Sequence, residues 1–237
     1  MEFVLVSLVF VLAGIGAEVV GFGISTISMA LLPFFLPLEI AIPLVAIISI
    51  VATGMVAYRT KAKGLTEILV PLFVGSLFGI PLGLYFLQIV PERTLLLILG
   101  IILIFSSVYS LLGKEIEFNF NRVTGILVGF LVAVFGASIN VNGPLVGMYF
   151  TADKRISKLK NKDLITTYMF FTGLFVVLGH YLVGRIDREV GVYTLIVLPA
   201  LFIGLQLGRV IFDKIPVKIL RIIIYLFVLV AGIRLLF

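Results

Sequence analysis

The residues that could do chemistry are few and sit in two groups. G-F-G-I-S-T (Gly21 to Thr26) and G-A-S-I-N-V-N-G-P-L (Gly136 to Leu145) each interrupt a long apolar run. At these breaks Gly23, Ser25, Thr26, Asn140, Asn142 and Gly143 supply small or neutral hydrogen-bonding groups, with Gly21 and Pro144 framing them. A helix that restarts after a break presents unpaired N–H groups and the positive end of its dipole. Two such starts facing each other suit a small oxyanion held without a formal positive charge. A full cation at that depth would be expensive to bury and would hold the ion too tightly for release. These eight residues are the expected substrate-binding set, and for Asn140 and Asn142 that role is favoured over inter-helix hydrogen bonding.

The ionisable residues are sparser still. Glu18 lies three residues before Gly21, where an acid is costly unless protonated or paired. It is either a proton carrier or the polar lip of a cavity. His180, the one histidine, stands between Gly179 and Tyr181, and interfacial anchoring with Tyr181 is favoured over a proton relay. Arg209, with Gln206, flanks Gly208; snorkelling to the interface is favoured over drawing anions into a vestibule. Glu18, His180 and Arg209 are thus the coupling or gating candidates. Gly79, Gly83, Gly204 and Gly208 stand first as helix-contact residues of the small-xxx-small kind. No zinc spacing, Walker loop, nucleophile elbow or paired-carboxylate arrangement is present, so no catalytic residue, metal or cofactor is expected and a single-chain ATP-driven pump is excluded.

The elements that must position these groups follow from composition. The 237 residues are 62% hydrophobic and 13% charged, with mean hydropathy +1.29. That leaves too little polar material to coat a soluble globule and rules out a soluble enzyme. At about 20 residues per helical crossing, the length allows about ten spans and no further soluble domain. The net charge of +6 falls in short runs between apolar segments, which reads as topology signal and not as nucleic-acid binding. With no cysteine there is neither a disulfide framework nor a thiol nucleophile. The N-terminus lacks a basic leader and is read as a retained span.

Apolar stretches run at 3–20, 24–36, 39–57, 65–87, 94–112, 123–138, 143–151, 164–183, 190–208 and 217–236, and those at 24–36, 123–138 and 143–151 are short for a span. The halves resemble each other. Gly79, Gly83 and Pro91 recur as Gly204, Gly208 and Pro216 at an offset of 125, and Gly21, Gly23 and Ile24 align with Asn140, Asn142 and Gly143 at an offset of 119. The expected fold is therefore all-α, a polytopic membrane protein of about 8–10 transmembrane segments in two repeats, 1–113 and 122–237. Each repeat opens on a broken or re-entrant hairpin, 3–36 or 123–151, followed by three spanning helices. The most basic loops, Arg59 to Lys63 and Lys154 to Lys162, belong in the cytoplasm, and this parity makes the repeats inverted. The competing arrangement is a row of eight helices with parallel halves.

The run G-F-G-I-S-T-I-S-M-A-L-L-P (Gly21 to Pro33) and its counterpart N-V-N-G-P-L-V-G-M-Y-F (Asn140 to Phe150) resemble the breaks of the TauE/SafE sulfite exporters, the TSUP-type permeases. The resemblance extends through G-L-Q-L-G-R (Gly204 to Arg209) and Ala231-Gly232 to nearly the whole chain. Members often carry G-G-G or G-x-G-G at the breaks. Here Ile24 and Ser25 replace glycines in the first, and Asn140 and Asn142 do so in the second. The resemblance implies secondary transport of small sulfur-containing anions such as sulfite or organosulfonates. Expected partners are the anionic substrate and the lipid bilayer of the cell membrane, with no nucleic acid and a homodimer left open. An anion channel, or a membrane subunit of a larger transport assembly, is the alternative.

Overall fold

With no water in hydrocarbon to accept or donate, each apolar run closes its backbone hydrogen bonds within itself, and a helix is the way a single segment does so. The computed structural model describes residues 1–20, 23–59, 66–112, 121–152 and 158–237, and these contain helices and no strand. In order they are α1 (Glu2–Val20), α2 (Gly23–Leu31, prolonged by a 3-10 turn Leu32–Phe34), α3 (Leu38–Arg59), α4 (Thr66–Ile89) and α5 (Glu92–Leu112). The second half continues with α6 (Arg122–Ile139), α7 (Gly143–Ala152), α8 (Lys158–Leu182), α9 (Arg188–Lys214) and α10 (Val217–Leu236).

Seven of these, α3 to α6 and α8 to α10, are long and apolar enough to cross a membrane. The chain is a multi-pass integral membrane protein. Helix α6 departs from the sequence expectation of a short segment. The Asn121 side chain accepts from Thr124 N at 2.9 Å while Thr124 Oγ1 accepts from Asn121 N at 3.1 Å, which starts the helix at Arg122. It runs 18 residues to Ile139, about 27 Å at 1.5 Å per residue, which is long enough for a crossing. The segments that stay short are α2, with 9 residues, and α7, with 10.

Close backbone approach fixes which helices pair. A Cβ on Gly79 would lie 2.8 Å from Ala133 Cβ, one on Gly83 would lie 2.9 Å from Ala137 Cβ, and Gly75 faces the Ile126 to Phe130 backbone. The ascending order makes α4 and α6 parallel neighbours. On the other side of the molecule Gly14 would meet Leu201, Gly204 and Leu205 backbone at 2.9 Å, and Gly204 faces Val11, so α1 and α9 are also parallel. Between these two pairs α3 and α8 run antiparallel, with Ile50 on Gly173 and Phe170 on Gly54, while α5 and α10 cross antiparallel at Gly100 and Gly232 and pack against α1 and α2.

One end of the bundle is tied by polar contacts between chain segments far apart in sequence. Leu38 N donates to Glu92 Oε1 at 2.9 Å, Arg93 Nη2 to Leu236 O at 2.7 Å, and Arg185 Nη2 to Leu87 O at 3.1 Å. Tyr193 Oη donates to Glu2, and its ring packs on Phe3. Helix α9 therefore starts where α4 ends, so the two run in opposite directions. Their parallel partners α1 and α6 consequently run opposite to each other. The bundle's outside is apolar, with Phe78, Leu127, Phe175, Leu195 and Ile223 all exposed, as a lipid-facing surface requires.

Candidate functional site

Helix α6 stops because Asn140 takes the left-handed conformation, φ 53° and ψ 32°. Apart from glycine, asparagine is the residue most at ease there, since its short polar side chain bonds locally. Its Nδ2 donates to Ile42 O on α3 at 3.2 Å, which pins the break to that helix. The chain restarts at Asn142, whose carbonyl accepts from Val146 N at 3.0 Å. Pro144 falls in the first turn of α7, where its missing N–H costs nothing.

The break opens onto a cavity of about 20 Å³, room for one water-sized group. Asn140 and Asn142 form one wall, Ala46, Ser49, Ile50 and Thr53 of α3 a second, and Met169, Gly173 and Val176 of α8 a third. Ser49 is midway along the 22-residue α3, and Gly173 is midway along the Asp163–Leu182 span of α8. The cavity thus sits near the middle depth of the bundle. None of its lining residues is ionisable.

Two of its buried oxygens, Asn142 Oδ1 and Ser49 Oγ, have no hydrogen-bond partner. Buried hydroxyls here fall into two groups, and Ser25, Thr26, Ser28 and Ser107 are open as Ser49 is. Ser76, Ser138, Thr53, Thr172 and Thr194 each donate to the carbonyl four residues back at 2.6–2.8 Å, the usual way a hydroxyl is satisfied in an apolar helix. Thr53 is spent in this way on Ser49 O, at 2.7 Å. Ser49 Oγ is not. A buried polar atom left open costs about 1–3 kcal/mol, so two in one cavity mark a place where a ligand can supply the missing bonds.

The other expected site residues are placed as follows. Gly21 lies outside the described residues, as does the side chain of Glu18, whose backbone belongs to the last turn of α1. Gly23 begins α2 against α1, where a Cβ would lie 2.8 Å from the Gly16 carbonyl carbon. Ser25 and Thr26 are buried on α2 with unpartnered hydroxyls, as is Ser28. None of them lines the cavity, although α2 packs against α7. Gly143 and Pro144 are buried at the start of α7. His180 is buried within the bundle, 0% exposed, while Tyr181 beside it is 65% exposed. Both its ring nitrogens lack a partner, and it lies one helical turn beyond Val176 of the cavity wall. Arg209 is half-buried on α9, and neither it nor the exposed Gln206 reaches the cavity.

Sequence reasoning missed Ser49 and Thr53. Their signal was available: two hydroxyls four residues apart in the apolar run 39–57 share one helix face. Nothing in the sequence marks Gly173 and Met169 as their opposite wall.

No curated protein and no solved structure matches the chain. The family description "Sulfite exporter TauE/SafE" matches residues 6–235, from the first turns of α1 to the last turn of α10. That span takes in both breaks and every helix that walls the cavity, and the chain therefore belongs to the TauE/SafE sulfite exporter family, a family of membrane transporters.

Proposed function

We propose that the chain is a secondary carrier of the cell membrane that exports small sulfur-containing oxyanions, sulfite or organosulfonates among them, by alternating access. The observation that carries this reading is the uncharged polar cavity at the α6–α7 break, halfway through the bundle. Neutral donors and the start of α7 attract an anion there without burying a fixed cation. An ion so held is released readily.

Alternating access rests on the two halves acting as inverted repeats, 1–113 and 122–237. Support comes from the helix pairing. Exchanging the halves turns α4–α6 into α9–α1 and maps α5–α10 and α3–α8 onto themselves. Individual contacts follow: Gly79 rests on Phe130 O and Gly204 on Val11 O, positions related by the offsets of 125 and 119. Opposite directions of α1 and α6 fit the inverted sense. The closed cavity holds one water-sized group, so loading an oxyanion requires α3 and α8 to part, and the flexible Met169 eases that step. Inside-negative potential favours the exit of an anion by about 2.3 kcal/mol per charge per 100 mV. Export needs no further energy source, and proton coupling through Glu18 or His180 would add to it.

A thermal-shift panel of the purified protein against sulfite, thiosulfate, sulfate, an alkanesulfonate and acetate tests the ligand class. At a ligand concentration 100 times Kd the folded state gains about 2.7 kcal/mol, so sulfite and the alkanesulfonate are expected to raise the melting temperature by several degrees. A panel in which only the carboxylate shifts the protein, or none does, contradicts the proposal.

A further inference from the structure

Resting on the anion-carrier reading of the α6–α7 cavity, we propose that it takes monoanions, so that sulfite enters as the singly protonated species, with one O–H beside its anionic oxygens, and not as the fully ionised dianion. The first ground is charge. All the residues lining the cavity are uncharged, and the desolvation of an ion rises steeply with its charge while neutral dipoles answer only part of it. A monoanion fits such a wall and a dianion does not.

The second ground is the pairing of the two open atoms. Asn142 Oδ1 is a hydrogen-bond acceptor, buried and without a donor. An anionic oxygen placed against it is repelled, whereas an O–H satisfies it. Ser49 Oγ, also open, provides the complementary O–H for an anionic oxygen. The neighbouring donors are already engaged, Thr53 with Ser49 O at 2.7 Å and Asn140 Nδ2 with Ile42 O at 3.2 Å. The residues lining the cavity therefore hold one open acceptor and one free hydroxyl, the complement of HO–X–O⁻. No proton changes hands in the site. It travels on the anion, and each turnover moves one proton and one net negative charge.

A titrating protein group would give a similar pH dependence, and the groups concerned are nearby without lining the cavity. They are His180 and Tyr168 on α8 and Tyr149 on α7, while Glu39 at the start of α3 and Arg122 at the start of α6 lie farther off along their helices. The test separates ligand from protein by using two anions of different basicity. Binding of sulfite, and of selenite, whose second ionisation lies higher, is measured by calorimetry on the full chain in nanodiscs across the neutral pH range. The apparent affinity is expected to be level below each anion's second ionisation and to fall about tenfold per pH unit above it, with the break at higher pH for selenite. Asn142→Leu and Ser49→Ala are each expected to weaken binding on the low-pH side by about tenfold or more. A break at one pH for both anions assigns the proton to the protein and overturns the proposal, as does affinity that rises with pH. If neither anion binds at any pH, the anion-carrier reading itself is wrong. If both bind with a level profile, only the protonated species is.

Discussion

Asn140 combines two jobs that are separable by substitution. It holds a left-handed backbone at φ 53°, which costs a residue with an ordinary side chain about 1–2 kcal/mol, and it donates to Ile42 O. Asn140→Gly relieves the backbone and loses only the bond, whereas Asn140→Ala keeps the strain and loses the bond. The alanine variant is expected to be the less stable of the two by about 1 kcal/mol, read as the order of their unfolding midpoints in a detergent denaturation series. Equal midpoints would mean the break relaxes without either constraint. At this scale the sequence was partly legible. Asn140 and Asn142 stand out because amides are rare in apolar runs, and they do wall the cavity. Ser49 was overlooked because serine in an apolar helix usually bonds its own backbone, and only the fold reveals that this one does not. That His180 turns into the bundle was not legible, because its neighbour Tyr181 faces outward, and one residue along a helix turns the side chain by about 100°.

At the scale of elements, the account depends on glycines that let helices touch through their backbones. A Cβ added at Gly79 meets Phe130 O and Ala133 Cβ, and one at Gly204 meets the Val11 backbone. Backbone cannot move aside as a flexible side chain can. Gly79→Ala and Gly204→Ala are therefore each expected to lower stability by about 1–3 kcal/mol, seen as a fall in melting temperature of the detergent-solubilised protein. Gly191→Ala, where a Cβ meets nothing within 4 Å, is expected to change little or to stabilise slightly. The small-xxx-small spacing made Gly79 and Gly204 readable as contact residues, but their partners lie in helices that spacing cannot name. Segment lengths were read less well at α6, because hydropathy drops at Arg122 and Asn121 while the capping bonds there still extend the helix. The half-helices α2 and α7 were legible, since Gly and Asn interrupt the apolar runs that contain them.

At the scale of the whole molecule, pairwise contacts gather Glu2, Leu38, Leu87, Glu92, Arg185 and Leu236 at one end. Helix α3 ends and helix α8 begins at the other end, and the excess of Lys and Arg in the adjoining sequence leads us to expect that end in the cytoplasm. The chain has no cysteine, so single-cysteine labelling is clean. Glu39→Cys is expected to react with an impermeant maleimide from outside intact cells and Lys158→Cys only after permeabilisation. Labelling of both from one side contradicts the inverted arrangement. The two offsets on which the repeat rests are readable in the sequence. The exchange of partners between halves, α4 with α6 and α9 with α1, was not, because it depends on which helices meet in space.

The central claim is that an anion crosses through the cavity at the α6–α7 break. Sulfite efflux from proteoliposomes, measured for the unaltered protein and for the double variant Asn140→Ala, Asn142→Ala, addresses it directly. Flux is expected to saturate with sulfite concentration. The variant, shown folded by monodisperse chromatography, is expected to need at least about tenfold more anion for half-maximal flux, as loss of hydrogen bonds to a charged ligand implies. Unchanged half-saturation in the folded variant would place the site elsewhere, and flux that fails to saturate would replace the carrier with a channel.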